Sequence, residues 1–106
     1  VLVPATTLGE LELGFAGGAN RQANQHALAL FLADSSVEIV PIDHEIARTY
    51  GRIMHTLRRA GTPVPTNDAW IAACAETTSS VVLTFDRHFS LIASVRSLVL
   101  ARDAGT

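Results

Sequence analysis

The chain has 106 residues, the size of one domain, and its 48% hydrophobic and 17% charged content supplies a real core and excludes a disordered polymer. A formal net charge of −2 excludes a global basic field, so any contact with nucleic acid has to come from a local patch. There is no lysine, and all eight positive side chains are arginine, the better bidentate partner for phosphate. The single cysteine, Cys74, has no internal partner for a disulfide, which points to a reducing compartment and a cytoplasmic protein. It lies in the apolar run Ala69–Ala75 and reads as buried filler. No run is apolar enough for a membrane span, and no signal peptide is recognisable.

In chain order, residues 1–4 read as the end of a strand. Thr6 or Thr7 is expected to cap a helix reaching about Ala16, stopped by Gly17-Gly18. A second helix is expected from Arg21 to Ala33, then a strand at 37–40. Asp43 is placed to cap a long helix with Ile46, Tyr50, Ile53, Met54 and Leu57 on one face, closed by Gly61. Pro63 and Pro65 make the next segment a loop, and Asn67 or Asp68 opens a helix to about Thr77. A β-branched strand follows at 80–84, then a loop at 85–89, a helical turn and a last strand at 98–100. Short apolar strands alternating with helices imply a mainly parallel sheet covered on both sides. The expected fold is therefore a single α/β domain over residues 1–106, a three-layer α/β/α sandwich. The chain opens inside an apolar strand without an initiator Met, so we expect upstream sequence.

Helix N-termini in such folds share a sheet edge with strand C-termini, and ligands bind along that edge. Three acids fall there: Glu10 in the first turn of the first helix, Asp68 in the first turn of the helix after the proline loop, and Asp86 just past the 80–84 strand. A helix of about ten residues spans roughly 15 Å, and a strand of about five spans roughly 16 Å, so Asp68 and Asp86 are expected to return close together. Gathered carboxylates need a proton, a basic partner or a cation. Mg²⁺ or Mn²⁺ with oxygen ligands is the natural solution, and such ions activate water for phosphodiester hydrolysis. Each acid also has a plainer reading. Thr7-x-x-Glu10 fits a capping box, Asp68 an N-cap or first-turn acid, and Asp86 a turn former. Glu12 reads as solvated, Trp70 as core, and Arg58-Arg59 as compensation of a helix dipole.

Thr7-Leu8-Gly9-Glu10-Leu11-Glu12-Leu13-Gly14 resembles the acidic helix start of PIN domains. Thr66-Asn67-Asp68-Ala69-Trp70-Ile71-Ala72-Ala73 is similar to the Asn-Asp-x-x-Ile-Ala-Ala segment of VapC-type toxins, and Leu83–Phe89 to their Thr-x-Asp-x-x-Phe loop. Pro41-Ile42-Asp43 with Ala47 and Tyr50 resembles the family's middle helix. The resemblance implies a metal-dependent endoribonuclease, the toxin of a toxin–antitoxin pair, acting on tRNA, rRNA or mRNA and held by a cognate antitoxin, with a homodimer expected. It implies Glu10, Asp68 and Asp86 as catalytic and metal-site acids, with Thr84 orienting an acid or a water. Arg87, beside the acids, is the phosphate candidate, and His88 a further RNA contact. The family begins with a strand ending in Asp-Thr or Asp-Ser whose Asp binds metal. No residue here matches it, so the expected fold lacks its first strand. The alternative is a non-catalytic PIN-like module that dimerises or binds an antitoxin. A phosphoacceptor receiver ranks low without a lysine, and a nucleotide-binding role ranks low without a P-loop.

Overall fold

A computed structural model describes residues 1–84, 89 and 91–100. The chain divides into two compact units, Val1–Ile42 and Asp43–Thr106.

In the first unit, strand β1 (Leu2–Pro4) pairs in parallel with β2 (Glu38–Val40), Leu2 opposite Glu38 and Pro4 opposite Val40. Two helices connect them, α1 (Ala5–Ala16) and α2 (Arg21–Ala33). Proline decides where α1 begins. Pro4 takes the cap position with φ −62° and ψ 143°, the extended geometry its ring favours, and the helix starts at the next residue. Neither Thr6 nor Thr7 is therefore the cap, contrary to the sequence expectation. Both lie inside the first turn, and their hydroxyl oxygens are buried without a hydrogen-bond partner among the described residues. The amide of Gly18 donates to the Phe15 carbonyl at 3.1 Å as α1 ends. Gln25 Nε2 donates to Glu12 Oε2 at 3.0 Å, so Glu12, exposed as expected, also ties α1 to α2. After α2 the Asp34 carboxylate accepts from the Ser36 amide at 2.8 Å and the Ser36 hydroxyl at 2.7 Å, a local turn that aims the chain into β2. Those two bonds, the backbone one first, hold the exposed Asp34 carboxyl below its ordinary value of 3.8.

The second unit carries the well-buried core. Helix α3 (His44–Ala60) begins at Asp43, whose Oδ1 accepts from the Ile46 amide at 2.9 Å, as expected. Ile46, Ile53, Met54 and Leu57 are buried at helical spacing. The helix ends at Gly61, where φ is +72°; the Gly61 amide reaches the Arg58 carbonyl and the Thr62 amide the Leu57 carbonyl, a left-handed closure that glycine accepts without strain. Helix α4 (Thr66–Thr77) again starts behind a proline, Pro65, with no side-chain cap. Asn67 and Asp68 thus lie inside the helix, and neither caps it. Ala69, Ala72 and Ala73 are fully buried. Such small side chains let α3 and α4 pack closely. Tyr50 and Trp70 stack with ring centroids 3.8 Å apart and planes 9° from parallel. Arg52 and Glu76 form an ion pair. The Thr77 and Thr78 hydroxyls donate back to the Ala73 and Cys74 carbonyls at the end of α4. Cys74 is buried, and that burial, with the Asp43 carboxylate second, pushes its thiol above the ordinary 9.0.

Strand β3 (Val82–Thr84) follows and pairs in parallel with β4 (Ser97–Val99). Between them Phe89 and Leu91 lie in 3₁₀-helical conformation, the helical turn expected there, with the Ile92 amide donating to the Phe89 carbonyl and the Val95 amide to the Ile92 carbonyl. Every strand pairing is parallel and every described α-helix lies between strands of the α/β order expected. The strands form two pairs, one in each unit, because no described strand hydrogen-bonds to both β1 and β3. No described helix is long and apolar enough to cross a membrane.

Candidate active site

Glu10 belongs to the first unit. Because α1 starts at Ala5, Glu10 lies in its second turn rather than its first, and the capping-box reading is excluded. Its side chain is exposed and takes part in no hydrogen bond or ion pair among the described residues. Thr6 and Thr7 precede it by four and three residues and share its side of the helix. The signal for their two hydroxyls, unpartnered among the described residues, was Pro4, which sets the helix start two residues earlier than a Thr6 cap and three earlier than a Thr7 cap. A buried hydroxyl without a partner is costly, so this turn of α1 is built less for local stability than the start of α3.

Asp68 belongs to the second unit. It is half-buried in the first turn of α4, where the positive end of the helix dipole favours a carboxylate. The chain reverses through Thr78–Val81 after α4 and enters β3, which packs against that helix. A helix followed by a strand running back puts the first turn of α4 and the C-terminal end of β3 toward the same end of the unit. Thr84 ends β3 at that point. Asp86, Arg87 and His88 follow it and lie outside the described residues. Among the described residues there is no cluster of three or more His, Cys, Asp or Glu side chains able to hold a metal ion. The donor chemistry that the described acids offer is hard carboxylate oxygen, which suits Mg²⁺ or Mn²⁺ and not a soft metal. Cys74 offers no thiolate, being buried with its proton held.

Comparison with known proteins agrees with this architecture. The model of the PIN domain family matches residues 1–95. Ribonuclease VapC5 of Mycobacterium tuberculosis (strain ATCC 25618 / H37Rv) is 30% identical over 102 residues, covering 96% of this chain and 76% of the relative. DNA-bound VapBC from Salmonella typhimurium superposes with a TM-score of 0.84 at 30% identity, over 92% of this chain and 74% of that one. VapBC2 from Rickettsia felis, at 24% identity, shares the fold with a TM-score of 0.84, over 92% of this chain and 73% of that one. An α/β chain with parallel strand pairs, an acid in the second turn of α1 and another in the first turn of α4, matched by the family model over most of its length, belongs to the PIN domain family and is VapC-like.

Proposed function

We propose that this protein is a metal-dependent endoribonuclease, the toxin of a toxin–antitoxin pair, hydrolysing RNA phosphodiesters with water as nucleophile. The family match with relatives named ribonucleases supports the reaction class. The observation that carries the site is the availability of Glu10: once the helix start at Ala5 removes the capping role, its carboxylate is left exposed with no structural task. Glu10, Asp68 and Asp86 are proposed to converge on Mg²⁺ or Mn²⁺. A cation held there supplies charge neutralisation at the phosphate and lowers the pKa of a bound water.

The protein's own groups do the rest. Asp68, fixed in the first turn of α4, presents its carboxylate from a helix whose packing against α3 leaves it little freedom. Glu10 supplies a second carboxylate from α1, and Asp86 a third from the segment after β3. Thr84 is proposed to orient an acid or a water, Arg87 to hold a phosphate oxygen, and His88 to contact the RNA. Asp68→Asn is expected to reduce cleavage of a labelled RNA to background while leaving the circular dichroism spectrum that of a folded protein. EDTA does the same reversibly. Full cleavage by Asp68→Asn, or in excess EDTA, removes the assignment.

A cytoplasmic location and an antitoxin partner belong to the same proposal. Two of the structural relatives above are VapBC complexes. Here Leu11, Leu13, Leu30 and Phe31 of α1 and α2 are exposed, apolar surface that a partner or a second copy would cover. The same residues favour the second reading, a non-catalytic module that dimerises or binds an antitoxin. Absence of Mn²⁺ binding by calorimetry together with tight antitoxin binding selects it.

A further inference from the structure

Helix α3 divides the protein's charge unevenly. Residues 44–60 hold four of the eight arginines and one glutamate, a net +3, so the remainder of a chain of net −2 carries −5. At about 100° per residue, one arc of roughly 120° on this helix contains His44, Arg48, Gly51, Arg52, His55, Arg58 and Arg59 and no other residue. All seven are exposed. The buried face formed by Ile46, Ile53, Met54 and Leu57 lies on the other side. The acids nearby are few. Asp43 is occupied in capping, Glu45 lies at the margin of the arc, and Glu76 of α4 pairs with Arg52. No described acid pairs with Arg48, Arg58 or Arg59.

Dipole compensation accounts for Arg58 and Arg59 in the last turn, but its reach is one turn, and it does not extend to Arg48 or His44 near the start. We propose that this stripe is a docking track for the sugar–phosphate backbone of RNA. It runs about 22 Å along the helix, and its arginines are the side chains best shaped to grip phosphate oxygens in pairs. At its centre Gly51 has no side chain, and a Cβ built there would meet nothing within 4 Å, so a polymer backbone can come close to the helix between the flanking cations. The stripe holds no apolar or aromatic residue. A protein partner needs such an anchor at the centre of its interface, whereas contact with phosphates alone does not. The choice of RNA over other polyanions rests on the ribonuclease reading, and the track would act on binding and be blind to base sequence.

The test is fluorescence anisotropy of the full chain with a labelled single-stranded oligouridylate in EDTA, where cleavage is off, across a series of salt concentrations. The triple variant Arg48→Gln, Arg58→Gln, Arg59→Gln keeps good helix formers. It is expected to bind roughly tenfold more weakly, with a slope of log affinity against log salt flatter by about 2. The corresponding triple lysine variant is expected to keep the slope. Wild-type affinity and slope in the glutamine triple overturn the proposal, as does failure of the wild type to bind RNA, or a lysine triple that falls as far as the glutamine one. Cleavage by the wild type in Mn²⁺, measured separately, tells the two readings apart. RNA bound through the stripe but not cleaved removes the nuclease and leaves the track, while RNA cleaved with the glutamine triple binding normally removes the track alone.

Discussion

The two units of this protein are of similar element content and opposite character. In Val1–Ile42 neither helix has a buried residue, and among described residues only Val40 is buried at all. Val1, Leu2, Leu11, Leu13, Leu30, Phe31 and Ile39 are exposed there. From Asp43 onward, one helix face, an alanine-rich second helix and the segments around Val82, Phe89, Ile92 and Val95 form a dense core. Helix ends differ in the same direction. Asp43 caps α3 with a real side-chain bond and Gly61 closes it, while α1 starts behind a proline with two buried hydroxyls unpaired. Stability is thus concentrated in the second unit, and the first keeps apolar surface and a free carboxylate for other uses. Of the proposed acids, Glu10 sits on the less buried unit and Asp68 on the well-packed one.

Five substitutions break or sharpen that contrast, after the site and RNA variants described above. The largest expected effect is on the core. Ile53→Ala, at 2% exposure, is expected to cost about 2–5 kcal/mol in urea unfolding. Leu30→Ala, at 63% exposure, is expected to change stability by less than about 0.5 kcal/mol. Equal losses from the two would show that the exposed face of α2 is covered in solution. Next, Asp43→Ala is expected to cost about 1 kcal/mol through the lost cap. Thr7→Val, which replaces an unpaired buried hydroxyl with a methyl, is expected to be neutral or stabilising. A destabilised Thr7→Val would mean that the hydroxyl has a partner in solution. The smallest effect is on pH. The folded Cys74 thiol titrates above 9.0, so its contribution to stability is complete below that pH and is lost as pH rises from there through the raised folded value. Unfolding midpoints at pH 8 and pH 10 are expected to differ less in Cys74→Ala than in the wild type. Alkylation of native Cys74 at pH 8 is expected to be slow and to become fast in urea.

How much of this was legible beforehand depends on the range of the interaction. The limits of α2, the Asp43 cap, the buried face of α3 and the glycine closure at Gly61 all follow from residues within about one or two turns of one another, and each was readable from the sequence pattern. The threonine caps were misread for the same local reason, since Pro4 competes for the same position and its ring geometry wins. Burial of Cys74 was also readable from the apolar run around it, whereas Trp70, expected in the core, is half-buried and stacks on the half-buried Tyr50. Of the site, Asp68 in a first helical turn was legible, and Glu10's freedom from capping was not. Asp86, Arg87 and His88 rest on sequence reasoning alone.

The sequence by itself therefore determined the helices, both ends of α3 with its buried face, and the alternation of elements, because hydrogen bonds and side-chain neighbours three or four residues apart decide them. Only the tertiary structure decided that the strands pair as β1 with β2 and β3 with β4, and that among the described residues the first unit buries Val40 alone while the second encloses a core around Ile46, Ile53, Met54 and Leu57 and still leaves Leu83 and Leu98 exposed. Leu2 meets Glu38 and Val82 meets Ser97 across long stretches of chain. Such contacts depend on loop closure and on which surfaces compete for burial, and no local pattern encodes either.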